Sequence, residues 1–305
     1  VKDEQFHVVT GAFGYTGKYI TRRLIATGKP VRTLTGHPNR HNPFGEQVDV
    51  APLAFDDPDE LVRSLRGAAT LFNTYWVRFP HGQVTFDKAV ENTKTLIKAA
   101  CDAAVRRIVH LSITSASGES HLPYFKGKGL VETAIMASGL SYAIIRPAVI
   151  FGDGGILINN IAWLLRHLPV FVVPGRGDYR LQPVFVEDLA ELAVQLADKH
   201  ENTITDAIGP EVLTFDECVR LIADTVHRRA RIIHLRPWLA HLLSRPIGHL
   251  VDDVMLTRDE MDGLMGNLLV SDGPPTAPTR LSDWLSEHAD SVGSQYISEL
   301  KRHYR

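Results

Sequence analysis

Through its first half the chain alternates short β-branched runs with longer stretches in which apolar residues recur at helical spacing. The apolar runs at 7–10, 31–35, 48–53, 70–73, 107–112 and 141–146 predict strands. Between them, 18–26, 59–66, 86–104 and 123–137 predict helices, each followed within a few residues by the next strand. This alternation predicts an α/β fold, a doubly wound parallel sheet with helices on both faces. After Arg146 the pattern loosens into Gly- and Pro-rich segments, and a helix over 187–199 and a strand over 204–208 return to the sheet. Beyond Glu211 the chain reads as mostly helical. Thr214 with Glu217 and Thr257 with Glu260 have the spacing of capping boxes, each opening a helix.

Composition narrows the function class more than the fold. Lys and Arg total 33 and Asp and Glu 35, a formal net charge of −2, so there is no global attraction to nucleic acid and small molecules are the expected partners. Cys101 and Cys218 lie in amphipathic helical contexts and read as small core hydrophobes in a reducing compartment. The most apolar stretch, 156–173, is broken by Asn159, Asn160, Arg166, His167 and Pro169, so no integral membrane segment is expected. With no apolar leader after Val1, a cytoplasmic location follows as an expectation. The segment from Arg236 to Arg245 is apolar, aromatic and edged with basic residues, which reads as a core or lid helix or as a peripheral membrane contact. The fourteen histidines show no metal-ligand spacing, and no metal is expected. Composition says nothing of oligomeric state.

The first chemical signal is Gly11-Ala12-Phe13-Gly14-Tyr15-Thr16-Gly17, between the first strand and the first helix. There, backbone N–H groups and a helix N-terminus can face a pyrophosphate. Gly11 permits the tight turn, Gly14 lets the backbone approach the phosphates, and Gly17 lets helix pack on strand. This predicts a Rossmann domain over 1–150 and a smaller, mostly helical substrate region over 151–305, from which elements at about 184–208 return to the first. The second strand ends Thr35-Gly36-His37-Pro38-Asn39-Arg40, without the acid that would bind the ribose hydroxyls of NAD. NADP is therefore favoured over NAD, with His37 and Arg40 as candidate phosphate partners. Asn73 and Thr74, at the end of the fourth strand, are further candidates for the cofactor groove, and loop packing is the competing reading of Thr74 and Tyr75.

A second signal is Tyr124 with Lys128, four residues apart and so on one helical face. An ammonium beside a phenol lowers the phenol's pKa and can hydrogen-bond a nicotinamide ribose, which makes Tyr124 a usable proton donor or acceptor. Gly127 and Gly129 weaken this helix, and a cofactor passing close by would account for them. Ser112 and Thr114 share one side of the fifth strand's carboxyl end, where open α/β sheets bind ligands.

These residues resemble the short-chain dehydrogenase/reductase superfamily, in its atypical, extended-like branch. The resemblance rests on the turn from Thr10 to Gly17, Asn92, Ser112, Tyr124 with Lys128, Arg146-Pro147 followed by Phe151-Gly152, and the run from Val184 to Asp188. In the C-terminal third, Leu256 to Met261 is similar to relatives of the accessory NADPH-binding subunit of respiratory complex I. The resemblance implies Tyr124 as acid/base, Lys128 as holder of the cofactor ribose, and Ser112 as hydrogen-bond partner of the substrate oxygen. It places Tyr179 and Gln182 beside the substrate. It departs from the family's pattern at Gly36, where NADP-binding relatives often carry a basic residue, and at Ala54, where many relatives carry an acid near the adenine. The reading that follows is an NADP-preferring oxidoreductase acting on a small molecule. The alternatives are a non-catalytic dinucleotide-binding sensor or assembly factor, and a nucleotide-sugar epimerase or dehydratase.

Overall fold

The computed structural model describes residues 5–228, 230–255 and 257–303. Leu256, which heads the C-terminal stretch named above, lies outside them, as do Val1 to Glu4. In chain order the first elements are β1 (Phe6–Thr10), α1 (Tyr15–Ala26), β2 (Val31–Thr35), β3 (Val48–Pro52), α2 (Pro58–Leu65), β4 (Ala68–Asn73), α3 (Phe86–Asp102), β5 (Arg107–Leu111), α4 (Pro123–Met136) and β6 (Ser141–Pro147). Then come β7 (Ile150–Phe151), α5 (Ile156–His167), β8 (Val170–Pro174), β9 (Arg180–Leu181), β10 (Val184–Phe185), α6 (Val186–Ala197) and β11 (Thr203–Ala207). The last are β12 (Leu213–Thr214), α7 (Phe215–Thr225), β13 (Arg231–Leu235), α8 (Pro237–Val251), α9 (Arg258–Met265), α10 (Leu281–Glu287) and α11 (Glu299–His303).

Seven strands form one sheet in the order β11-β6-β5-β4-β1-β2-β3. Every β4 and β5 residue is buried, as strands covered by helices on both faces require. Parallel pairing aligns Val8 with Arg32 on one side of β1 and with Leu71 on the other. The chain winds outward in opposite directions from β1 and β4, so the strand order reverses between them. That switch point leaves a crevice at the strands' carboxyl ends, where β1 delivers the glycine turn and β4 delivers Asn73.

Contacts divide the chain into two compact units. One runs to Pro147 and adds Leu189–Asp206; the other comprises Ala148–Asp188 and the chain from Ala207 onward. The first unit's core gathers Leu34, Leu71, Leu96, Ile108, Ile135 and Ile144 from sheet and helices. The second has its own core around Phe151, Leu181, Cys218, Ile222, Leu281 and Leu285. Both capping boxes form, at Thr214 and at Thr257. The mostly helical reading beyond Glu211 needs one correction, because β13 pairs in parallel with β8 from Arg231↔Val170 to Leu235↔Pro174. A two-stranded ribbon stays half exposed, so it lacks the fully apolar signal of the central strands.

Candidate dinucleotide site

Gly11 takes φ of +67°, a left-handed turn that side chains disfavour, directly after β1. A Cβ on Gly17 would collide with the Gly11 carbonyl, so this glycine is what lets α1 start against the strand. Helix α1 begins at Tyr15, three residues earlier than its apolar periodicity suggested. Gly14 is its N-cap, makes no side-chain capping bond, and is followed by a first turn without acidic residues. Such a terminus presents backbone N–H groups and the positive end of the helix dipole, the arrangement that suits a pyrophosphate. Phe13 stacks on Phe44 with ring centroids 6.5 Å apart, while Tyr15 and Thr16 form the helix's first turn.

At the end of β2 the Thr35 hydroxyl accepts from the His37 amide at 3.1 Å, folding the chain so that His37 and Arg40 stand exposed. From Thr35 through Arg40 there is no carboxylate to repel a 2′-phosphate. At the end of β4, Asn73 is fully buried. Its carboxamide oxygen accepts from the Thr10 hydroxyl at 3.3 Å and the Tyr75 amide at 3.1 Å, and its nitrogen lies 3.1 Å from His110 Nδ1. The sequence placed Asn73 at the cofactor; its polar atoms instead tie β4 to β1 and β5. Thr74 stays partly exposed, donating to the Thr10 carbonyl at 2.5 Å and lying beside Gly11. Tyr75 takes a hydrogen bond from Asn92 at 2.9 Å and packs on Phe55, centroids 4.8 Å apart.

Helix α4 lays a polar row against the end of β5. Lys128 is buried, its Nζ donates to the Leu111 carbonyl at 2.7 Å, and the same ammonium sits 4.7 Å from the centre of the Trp76 ring. Burial lowers its pKa to about 7, against the opposing pull of Glu132. One turn further, buried Glu132 accepts a hydrogen bond from the Ser112 hydroxyl and pairs with Arg146 through bonds of 2.9 and 2.5 Å. One turn earlier, Tyr124 is half-buried, edge-on to Trp76 at 6.0 Å and to Phe86 at 5.7 Å. Trp76 thus has the phenol and the ammonium as neighbours. Thr114 is fully buried, its amide donating to the Pro147 carbonyl at 3.1 Å. His110 behind the row is also fully buried, and burial with the Lys128 charge pushes its pKa well down, so it is a neutral imidazole.

The glycines of α4 have a packing reason. A Cβ on Gly127 would come within 2.9 Å of Trp76, and one on Gly129 would strike the backbone of Ser117 and Gly118. Sequence reasoning also missed Glu132, which at helical spacing from Lys128 looks like an ordinary surface acid. Its signal was the continuation of the Tyr124, Lys128 row by one further turn. Glu132→Ala should lower stability by about 3 kcal/mol, because it strands a partly buried guanidinium. Glu132→Gln, which can still bond both Arg146 and Ser112, should lose less. Urea denaturation measures both, and equal losses would mean that the carboxylate's charge, and not its hydrogen bonds, is what Arg146 needs.

In the second unit, Tyr179 is buried and stacks on Phe215 at 5.4 Å, and burial raises its pKa. Gln182 is buried too, donating to the Gly209 carbonyl at 2.9 Å and accepting from the Ser271 amide at 3.3 Å. The resemblance set both beside substrate; here their side chains build the unit's interior. Asp188 accepts from the Thr279 amide at 3.0 Å, a structural bond. Among the described residues no cluster of His, Cys, Asp and Glu could hold a metal ion.

Residues 11–157 match the family described as NAD(P)H-binding. The chain is 23% identical over 283 residues to the mitochondrial NADH dehydrogenase [ubiquinone] 1 alpha subcomplex subunit 9 of Arabidopsis thaliana, covering 87% of this chain and 70% of the plant protein. It is 25% identical to the Dictyostelium discoideum subunit of the same name, covering 71% of this chain and 62% of that one. Among solved structures, a nucleoside-diphosphate-sugar epimerase of Staphylococcus aureus superposes with a TM-score of 0.75 at 15% identity, covering 92% of this chain and all of the other. An NADPH-dependent quinone oxidoreductase of Escherichia coli in complex with NADPH also gives 0.75, at 20% identity over 92% of this chain and 99% of that one. Among the described residues no helix is long and apolar enough to cross a membrane.

Proposed function

We propose, from the match of residues 11–157 to the family described as NAD(P)H-binding, that the protein is an NADP-preferring oxidoreductase that moves hydride to or from a small organic substrate. The observation that carries this reading is the α4 row, which brings Tyr124, Lys128 and Glu132 to the end of β5 around Trp76. The turn from Gly11 to Gly17 and the uncapped start of α1 hold the pyrophosphate, with Thr74 beside them. The dinucleotide, when bound, supplies or takes the hydride. Tyr124 supplies or takes the proton at its hydroxyl oxygen. Lys128, whose ammonium donates to the Leu111 carbonyl, would hold the cofactor ribose and would lower the phenol's pKa. Glu132 holds the Ser112 hydroxyl in place. Oxidation of NADPH across a panel of carbonyl compounds tests the reading.

His37 and Arg40 receive the 2′-phosphate in this account. NADPH should therefore bind more tightly than NADH, and Arg40→Ala should narrow the gap by roughly tenfold, the worth of one charge-assisted contact. Titrations followed by nicotinamide fluorescence measure it. Equal affinities in the unaltered protein would overturn the preference.

A second reading has its own support. Ser112 and Lys128 are both engaged inside the protein, and the two relatives above are named as subunits of a NADH dehydrogenase. Under it the protein binds NADPH without turnover and serves as a dinucleotide-holding part of a larger assembly.

A further inference from the structure

Helix α8 turns several of its large apolar side chains outward. The row Ala240, Ser244, Gly248 faces inward, with Ala240 and Gly248 buried. Gly248 lies at the helix's end, where a Cβ would come within 2.8 Å of the Asp253 carbonyl oxygen in the turn that closes α8. The opposite row carries Trp238, Leu242 and Pro246, all exposed, with Leu243 beside them. Trp238 is 60% exposed, Leu242 50% and Leu243 44%. A helix that only needed to cover a core would turn its large apolar side chains the other way.

Charge says what this face meets. From 225 to 251 the sequence contains Arg228, Arg229, Arg231, Arg236 and Arg245 and no Asp or Glu, in a protein whose overall charge is −2. Arg228, Arg231 and Arg236 are exposed, and none has a carboxylate partner among the described residues. We propose that α8 and the arginines preceding it form a docking surface for an anionic phospholipid bilayer, with Trp238, Leu242 and Leu243 entering the headgroup boundary. An aromatic and aliphatic face, entered at Arg236 and preceded in the chain by further exposed arginines, fits such an interface, where apolar burial and attraction to lipid phosphates add. A second copy of the chain fits worse. Three side chains fall short of the roughly 800 Å² per partner of a stable interface, and a second copy of the same surface offers the arginines no excess of acidic partners between 225 and 251. The surface is independent of the dinucleotide reading, since no residue of α8 belongs to that site.

Co-sedimentation with phosphatidylcholine vesicles, with or without roughly 30% phosphatidylglycerol, tests this. The full chain should bind the anionic vesicles, release them as salt rises, and leave neutral ones largely unbound. Emission of the unaltered protein should shift to the blue on binding, and Trp238→Phe should abolish the shift. Combined Trp238→Ser, Leu242→Ser and Leu243→Ser should weaken partition about 100-fold. Combined Arg228→Glu, Arg231→Glu and Arg236→Glu should do the same. All six positions are exposed, so thermal unfolding should stay close to that of the unaltered protein. Absence of binding to anionic vesicles overturns the proposal, and so does undiminished binding by the serine variant. It is equally overturned if sedimentation shows a dimer that the serine variant converts to monomer, because a second copy then covers the face.

Discussion

Gly14→Val removes NADPH binding and leaves the protein folded. The two halves of that expectation come from different facts. Gly14 has φ of −77° and ψ of 176°, a conformation that valine adopts without strain. A Cβ there would meet only the Gly11 carbonyl, at 3.2 Å. As the N-cap of α1, valine in place of glycine costs about 1 kcal/mol, too little to unfold a domain of this size. The isopropyl group, however, projects over the start of α1, where the pyrophosphate needs bare backbone. Affinity for NADPH should fall at least about 100-fold, the loss of several charge-assisted hydrogen bonds at once. Gly17 is the wrong place for this test, because even alanine would collide with backbone and damage the fold. Fluorescence titration beside a thermal melt decides the matter. A folded Gly14→Val protein with unchanged affinity would remove the assignment of this turn to a dinucleotide.

The sheet was legible because its strands are short, β-branched and separated by helices of regular period, so propensity, pattern and turn chemistry agree at each step. Predicted and observed edges of β2 coincide, and those of β5 and α4 differ by one residue. Candidate site residues could be named from sequence only where residue type and spacing single them out, as with glycines in a strand-to-helix turn or a tyrosine four residues before a lysine on one helical face. Asn73 was misplaced because an amide at a strand end suits a ligand and an internal bond equally, and only the neighbouring β1 and β5 show that Thr10 and His110 claim it. Glu132 was missed for the converse reason. Its partners Ser112 and Arg146 come from two other elements, and no local spacing joins the three. Gly127 and Gly129 were given to a cofactor because the indole and the loop they admit are distant in sequence. The exposed face of α8 was visible as a composition, but its orientation needed coordinates.

Tyr124→Phe is the variant that separates an enzyme from a binding subunit. The phenol is half-buried between Trp76 and Phe86, so phenylalanine keeps those ring contacts and NADPH affinity should stay within about twofold. Turnover should fall by a factor of about 10² to 10⁴, the range for loss of a general acid or base. Lys128→Met should lower both turnover and affinity, since it removes the ammonium while keeping most of the side chain's volume. The lysine also supplies a pH test that needs no substrate. With a pKa of about 7 it is charged below neutrality and neutral above, so its contribution to holding NADPH is present at low pH and lost as pH rises through about 7. The difference between the binding profiles of the unaltered protein and Lys128→Met should show that step, displaced upward to the extent that the bound anion favours the ammonium. Parent-rate turnover by Tyr124→Phe on an active substrate would sink the catalytic role. Tight NADPH binding with the lysine step but no turnover across a broad carbonyl panel would instead favour the subunit reading, because Lys128 would then serve binding alone.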